Sequence, residues 1–224
     1  MNVLVACEES QRVCIAFREK GHNAFSCDIL PCSGGHPEWH INDDVSKYIN
    51  GKLHLFDFFF VTEDGEFHLM PETWDLIIAH PPCTYLSNAG ARWLYAGGQL
   101  NKERYRKGLE GKDFFLSILN ADCPRIAVEN PVPFSIYGLS ECSQIIQPFY
   151  FGEPWSKKTC LWLKGLDVLQ PTDILTDYKP YCSSGSYCGS HDPKYKGASC
   201  KGGSAKSRSK TFWGIARAMA EQWG

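Results

Sequence analysis

A chain of 224 residues with 43% hydrophobic and 21% charged content has the composition of one sizeable globular domain. No apolar run reaches the ~20 residues that span a bilayer, and the opening MNVLVACEES turns acidic where a secretory leader is basic, so no membrane segment is expected and the expected location is the cytoplasm. A net charge of −2 gives no global nucleic-acid footprint, which leaves basic islands such as NKERYRKGLEGK and KSRSK; eleven cysteines in a reducing compartment point to metal ligation, catalysis or, as at Cys14 and Cys27, plain packing, not to a disulfide framework.

Along the chain, NVLVAC has the β-branched apolar character of a buried parallel strand. ESQRVCIAFREKG follows with Val13 and Phe17 at helical spacing, Ser10 as the N-cap and Gly21 as the stop behind Arg18 and Lys20. HNAFSCDI is a second strand ending at Asp28, about 20 positions beyond the first, where dinucleotide-type folds keep an acid for the ribose hydroxyls. A loop over 31–40, PCSGGHPEWH, leads to a short strand end and a weak helix in INDDVSKYIN. LHLFDFFFV, TEDG and EFHLM predict a β-hairpin around an Asp-Gly turn, an insertion over 51–73.

WDLIIAH is the next core strand, followed by a helix near 101–120, a strand RIAVEN, a helix near 137–146 and a strand pair around QPFYF and TCLWL. Residues 171–209, rich in Gly, Ser, Tyr, Lys and Cys, predict a long loop or a small metal-stapled excursion. TFWGIARAMAEQWG, with Ile215, Ala218 and Met219 at helical spacing, gives a closing helix over 210–224. The expected fold is one α/β domain over 1–224, doubly wound around a mostly parallel sheet.

Two strand ends carry chemistry. Cys83 stands behind Pro81 and Pro82, which stiffen the backbone that presents its thiol, the strongest side-chain nucleophile once deprotonated. RIAVENPVPF repeats the arrangement and delivers Glu129 and Asn130 into a proline-stiffened loop; taken alone, Glu129 also suits a helix cap or an ion pair with Arg125.

Taken in order, these motifs resemble the cytosine-5 DNA methyltransferases, in particular their short phage and prophage branch. PPCTYLS looks like the family's Pro-Pro-Cys motif with its trailing serine at Ser87, and ENP matches Glu-Asn-Pro at 129–131. FGEPWSKKTCLWL is similar to the segment that follows, with Phe151, Gly152, Pro154, Lys157 and Thr159 on the motif positions, and SKTFWGIARAMAEQW resembles the last motif. The resemblance implies a class I methyltransferase fold of Rossmann-like type. It further implies that Cys83 adds to cytosine carbon 6, that Glu129 serves ring N3 from a raised pKa or a dry site, that Asn130 holds that loop, and that Lys157 replaces an arginine. The implied cofactor is S-adenosylmethionine, contacted by Cys7, Glu8, Glu9, Ser10, Asp28, Asp44, Pro81, Phe212 and Trp213. The implied partner is duplex DNA with its cytosine flipped out.

Two departures stand out. The family writes Phe-x-Gly-x-Gly-Gly in the first loop, whereas this chain writes ACEESQRV with no glycine; Glu8 and Glu9 then suit the methionine ammonium, and Ser10 the cap of a helix facing its carboxylate. Only residues 164–208 are left for target recognition. Within them Cys182, Cys188, His191 and Cys200 are candidate ligands of a structural zinc, and Cys32, His36 and His40 form a weaker set that suits an ordinary loop better. Two alternatives stay open: a catalytically inactive nucleic-acid or nucleotide binder on the same fold, and a cytosine methyltransferase acting on RNA or free cytidine nucleotide.

Overall fold

Val3 and Val5 pack into one hydrophobic layer and Leu4 and Ala6 into another, all four fully buried, so β1 (Asn2–Ala6) runs through a sheet covered on both faces. In this computed structural model the described residues are 1–51, 58–96, 98–181 and 208–224. After β1 come α1 (Arg12–Glu19), β2 (Asn23–Asp28), β3 (His40–Asn42) and the insertion hairpin β4 (Phe59–Val61) and β5 (Phe67–Leu69). Then follow β6 (Leu76–Ala79), the short pair β7 (Tyr95–Ala96) and β8 (Gln99–Leu100), α2 (Lys102–Leu119) and β9 (Ile126–Pro131). The chain ends through β10 (Gln144–Ile146), β11 (Trp155–Ser156), β12 (Thr159–Lys164), β13 (Lys179–Pro180) and α3 (Trp213–Trp223).

Seven strands form the main sheet in the order β10-β12-β9-β6-β1-β2-β3. The five from β9 to β3 are mutually parallel, with Val5 opposite Ile78 on one side and Ser26 on the other; β12 is antiparallel to both of its neighbours and sets Leu161 opposite Glu129. The α/β class with a mostly parallel, doubly wound sheet is therefore present, as is the hairpin, whose strands pair Phe59 with Leu69 across the Asp-Gly turn. Helices α1 and α3 pack together on one face and bury Val13, Phe17, Ile215, Met219 and Trp223. On the other face lie α2, through Phe115 and Ile118, and the aromatic group of Phe60, Trp74 and Trp162. Each such large side chain contributes about 1.5–3 kcal/mol on burial.

Four local expectations are corrected. The N-cap of α1 is Gln11, at φ 58° and making no capping bond of its own, not Ser10. No helix occupies 137–146: a single 3₁₀ turn (Ser135–Tyr137) stops at Gly138 in the left-handed region, and Gln144–Ile146 pairs with β12 instead. QPFYF is not a strand, because Pro148 has no N–H for the ladder, and Pro148–Tyr150 turns as 3₁₀. The weak helix after β3 is likewise one 3₁₀ turn, Val45–Lys47.

Candidate functional site

Strand order reverses between β1 and β6, and open α/β sheets place ligands outside the carboxyl ends of strands at such a switch point. On this rim the chain sets Cys7 to Ser10 after β1, Asp28 at the end of β2, Asp44 after β3, Pro81 and Cys83 after β6, and Glu129 and Asn130 on β9. One rim thus collects most of the sequence-predicted residues.

The two proline-stiffened loops are bound to each other. Asn88 N–H donates to the Val132 carbonyl (2.9 Å) and Phe134 N–H to the Leu86 carbonyl (2.8 Å), around a bridge between Ser87 and Pro133. Ser87 N–H closes the loop after β6 on the Cys83 carbonyl at 2.9 Å. Burial pushes the Cys83 thiol up, the Glu129 carboxylate adds to the rise, and Lys157 offsets part of it, so the two motif side chains sense one another electrostatically.

Glu129 is paired where the motifs gave no partner. Its Oε2 lies 2.8 Å from Nδ1 of His80, the residue between strand β6 and Pro81, and both side chains are nearly buried, at 12% and 8% exposure. Burial works to raise the Glu129 carboxyl, but the His80 hydrogen bond and the Lys157 and His80 charges outweigh it and hold the group low. Burial works to lower His80, yet Glu129 and then Glu8 hold it above its ordinary value. Both side chains are shielded from solvent, and the carboxyl is held below its ordinary value, not above it. Asn130 is fully buried on the same strand, and neither of its amide atoms has a hydrogen-bond partner among the described residues.

Around the first loop the glycine-free sequence takes the left-handed backbone anyway, at Cys7 (φ 59°) and Gln11 (φ 58°), which costs a non-glycine residue on the order of 1–2 kcal/mol each. Gln11 offsets this with side-chain bonds to the His36 carbonyl (2.7 Å) and from the His36 N–H (3.1 Å), which clamp loop 31–40 to the start of α1. Glu8 fills the helix N-terminus: its carboxylate accepts from Val13 N–H (2.8 Å) and Cys14 N–H (3.2 Å), and burial keeps its proton affinity high. The Ser10 hydroxyl donates to Glu8 at 3.5 Å. Burial, with the Asp28 and Asp44 charges adding, pushes the Cys7 thiol up to about 12. Asp28 is half-buried and turns back on Leu30 N–H (2.9 Å), while Asp44 caps the turn after β3 through Ser46 N–H (2.9 Å). Glu9 is buried 3.9 Å from Lys210.

The last motif closes over this rim. Arg12 donates to the Thr211 carbonyl (2.7 Å) and stands over the Trp213 ring, while Lys210 donates to Ser33 Oγ (2.8 Å). Phe212, buried, lines a narrow cleft together with Glu129, Lys157, Thr159, Thr211, Ile215 and Met219. Lys157 is anchored by its own N–H on Gln147 Oε1 and by its Nζ on the Arg208 carbonyl.

Beside the Cys83 loop lies an open charged and aromatic surface. Tyr85, Trp93, Asn101, Glu103, Arg104 and Lys107 line it; Arg104 and Lys107 stand over the Tyr85 ring, Lys107 also pairs with Glu103 at 3.5 Å, and Trp93 is 60% exposed.

The candidate zinc ligands Cys182, Cys188, His191 and Cys200 lie outside the described residues, as does most of the segment 171–209. Among the described residues no three His, Cys, Asp or Glu side chains form a metal-binding group. His36 pairs with Glu38 and stacks on Trp39, and the His40 ring is held between Ser26 and Leu30. Among the described residues no helix is long and apolar enough to cross a membrane. The sequence reasoning missed His80, Gln11 and Thr211; the signal for His80 was a polar residue wedged between an apolar strand and two prolines. Neither a protein-family model nor a curated protein matches the chain.

Proposed function

We propose that this protein transfers a methyl group from S-adenosylmethionine to carbon 5 of cytosine in DNA through a covalent Cys83 adduct. The observation that carries this is the juxtaposition of a thiol and a buried carboxylate, Cys83 and Glu129, on two cross-bonded loops at the switch point of the sheet. The sheet supports the finer assignment as a class I methyltransferase: it follows the 3-2-1-4-5-6 order of dinucleotide folds, with one reversed strand, β12, slipped in before the last.

The residues fit the cofactor at its nucleoside end, where Asp28 at the end of β2 and Asp44 after β3 stand on the same rim as Cys7 after β1. At the methionine end the helix dipole is already satisfied by Glu8, so an ammonium would be met by carboxylate and a carboxylate would find no free N–H of α1's first turn at Val13 or Cys14. When bound, S-adenosylmethionine supplies the electrophilic methyl group. Cys83 adds to carbon 6, Glu129 meets N3, Lys157 balances the charge on both, and Phe212 with Met219 keeps water from the cleft. Exposed Trp93 and half-buried Tyr85 beside Arg104 and Lys107 favour a polynucleotide over a free nucleotide, because aromatic stacking with cations suits bases on a phosphate chain.

Labelled S-adenosylmethionine, offered with duplex DNA, RNA or dCMP, tests this. Label is expected in DNA cytosine, and Cys83→Ala is expected to abolish transfer while keeping cofactor binding. Full transfer by Cys83→Ala ends the covalent mechanism. The filled N-terminus of α1 is the observation that favours an inactive binder, and absence of transfer to all three substrates would establish that alternative over catalysis.

A further inference from the structure

His80 is a buried ionisable group at this rim that the motifs leave without a task. Its N–H is bonded to the Ala6 carbonyl at 2.9 Å, which fixes it between β1 and β9, three residues before the nucleophile. Nδ1 is committed to Glu129 at 2.8 Å, but Nε2 is buried with no hydrogen-bond partner among the described residues. An unmet buried polar atom is destabilising, a poor arrangement for a histidine that only fills space. Its charged neighbours are Glu129 on β9, Glu8 in the turn before α1 and Lys157 before β12, two carboxylates against one ammonium. That surrounding favours an imidazolium.

Resting on the methyltransferase reading above, we propose that His80 stores the proton that cytosine N3 takes up, acting through Glu129 as a positioning and proton-holding residue. Cys83 enters as the thiolate, its S–H proton released to solvent; as its sulfur pair forms the bond to carbon 6, the C5–C6 π pair moves to C4–C5, and the C4–N3 π pair becomes a lone pair that binds a proton. Glu129 takes a proton from His80 Nδ1, which leaves the imidazole neutral, and gives one to N3. Once carbon 5 has taken the methyl group with the C4–C5 pair and the C4–N3 π bond is restored, loss of the carbon 5 proton to water supplies the pair that re-forms C5–C6 as the sulfur leaves, and N3 returns its proton by the same line. The arrangement lets Glu129 act as an acid although it rests as a carboxylate, because the pair together retains one proton.

The test compares the pH dependence of methyl transfer by the wild-type chain and by His80→Asn, whose amide keeps a donor at the Nδ1 position but cannot carry the proton. The wild-type to variant rate ratio is expected to climb from about 10 at pH 6 to about 100 or more at pH 8, in line with general acid catalysis. A ratio that stays constant across this range, as a purely structural role gives, overturns the proposal, and so does a variant with wild-type rates. A second measurement does not depend on the variant folding: the His80 ring, followed by NMR in the wild-type protein, is expected to titrate above 6.5 and to fall in Glu129→Gln. Titration at or below 6.5 overturns it. Inactivity of the wild-type chain on every substrate would instead strike the methyltransferase reading itself, and is distinguishable because the ring titration is measured without substrate.

Discussion

Gly214, in the first turn of α3, should not accept a methyl group. A Cβ there would overlap the Phe151 carbonyl oxygen outright and stand 2.9 Å from its carbonyl carbon and 3.1 Å from its Cβ, whereas real Cβ atoms keep at least 3.0 Å. Main-chain atoms cannot swing aside as a flexible side chain would, so either α3 or the 148–151 turn has to shift. Both are seated in the core, α3 through Ile215, Ala216, Met219 and Trp223. Overpacking of this kind costs about 1–3 kcal/mol, and with backbone in the way the upper end applies; the gain from placing alanine in a helix returns at most about 1 kcal/mol. A net loss of about 2 kcal/mol lowers Tm by roughly 4–8 °C in a chain of this size. Gly21→Ala is the matched control: φ is +81° and nothing lies within 4 Å of its Cβ, so only backbone strain of about 1 kcal/mol acts there. Thermal unfolding followed by circular dichroism decides between them. If Gly214→Ala melts within about 1 °C of the wild type while Gly21→Ala falls further, the close approach of α3 to Phe151 is not what limits this position.

Stability should follow the His80–Glu129 pair with pH. His80 is raised above 6.5, so its contribution is complete below that value and is lost as pH climbs through the folded one; Glu129 is held below 4.5, so its contribution is complete above 4.5 and is lost as pH falls through its folded value. The difference in unfolding free energy between the wild type and His80→Asn, from urea titrations, is therefore expected to be largest between pH 4.5 and 6.5 and to shrink by pH 9. Glu8→Ala removes the acceptor of two buried N–H groups and is expected to cost about 2 kcal/mol in urea denaturation; a loss under ~0.5 kcal/mol would mean that water or another group replaces it. Trp93→Ala with Arg104→Ala is expected to weaken binding of a fluorescent single-stranded oligonucleotide by roughly tenfold and to flatten its salt dependence. Unchanged anisotropy titrations would remove that surface from the proposed interface.

The sheet was legible wherever an apolar run stood alone between turn residues, as in NVLVAC, WDLIIAH and RIAVEN, because a strand buried on both faces needs nothing but apolar side chains. It was illegible at 137–150, where Gly138 and Pro148 break the helical and strand patterns and the partner that makes Gln144–Ile146 a strand is β12, distant in sequence. At the site, Cys83 and Glu129 could be paired from motif order. His80 could not, since its meaning comes from a carboxylate 49 residues away. Nor could Glu8 be recognised as the cap of α1, because local capping patterns look to the residue just before the helix, and here the side chain reaches past it from Glu8 to Val13 and Cys14.

The cross-bonds between the loops after β6 and β9 have a mechanical consequence. With Leu86 to Asn88 laced to Val132 to Phe134, the two loops behave as a single jaw: parting thiol from carboxylate would break main-chain bonds on both sides of the Ser87–Pro133 bridge. On the function proposed above, a bulky guest would be admitted from the opposite wall before α3, where Arg12 holds the Thr211 carbonyl and Lys210 holds Ser33. Those two side-chain bonds can open one at a time while the main-chain bonds of the jaw stay closed.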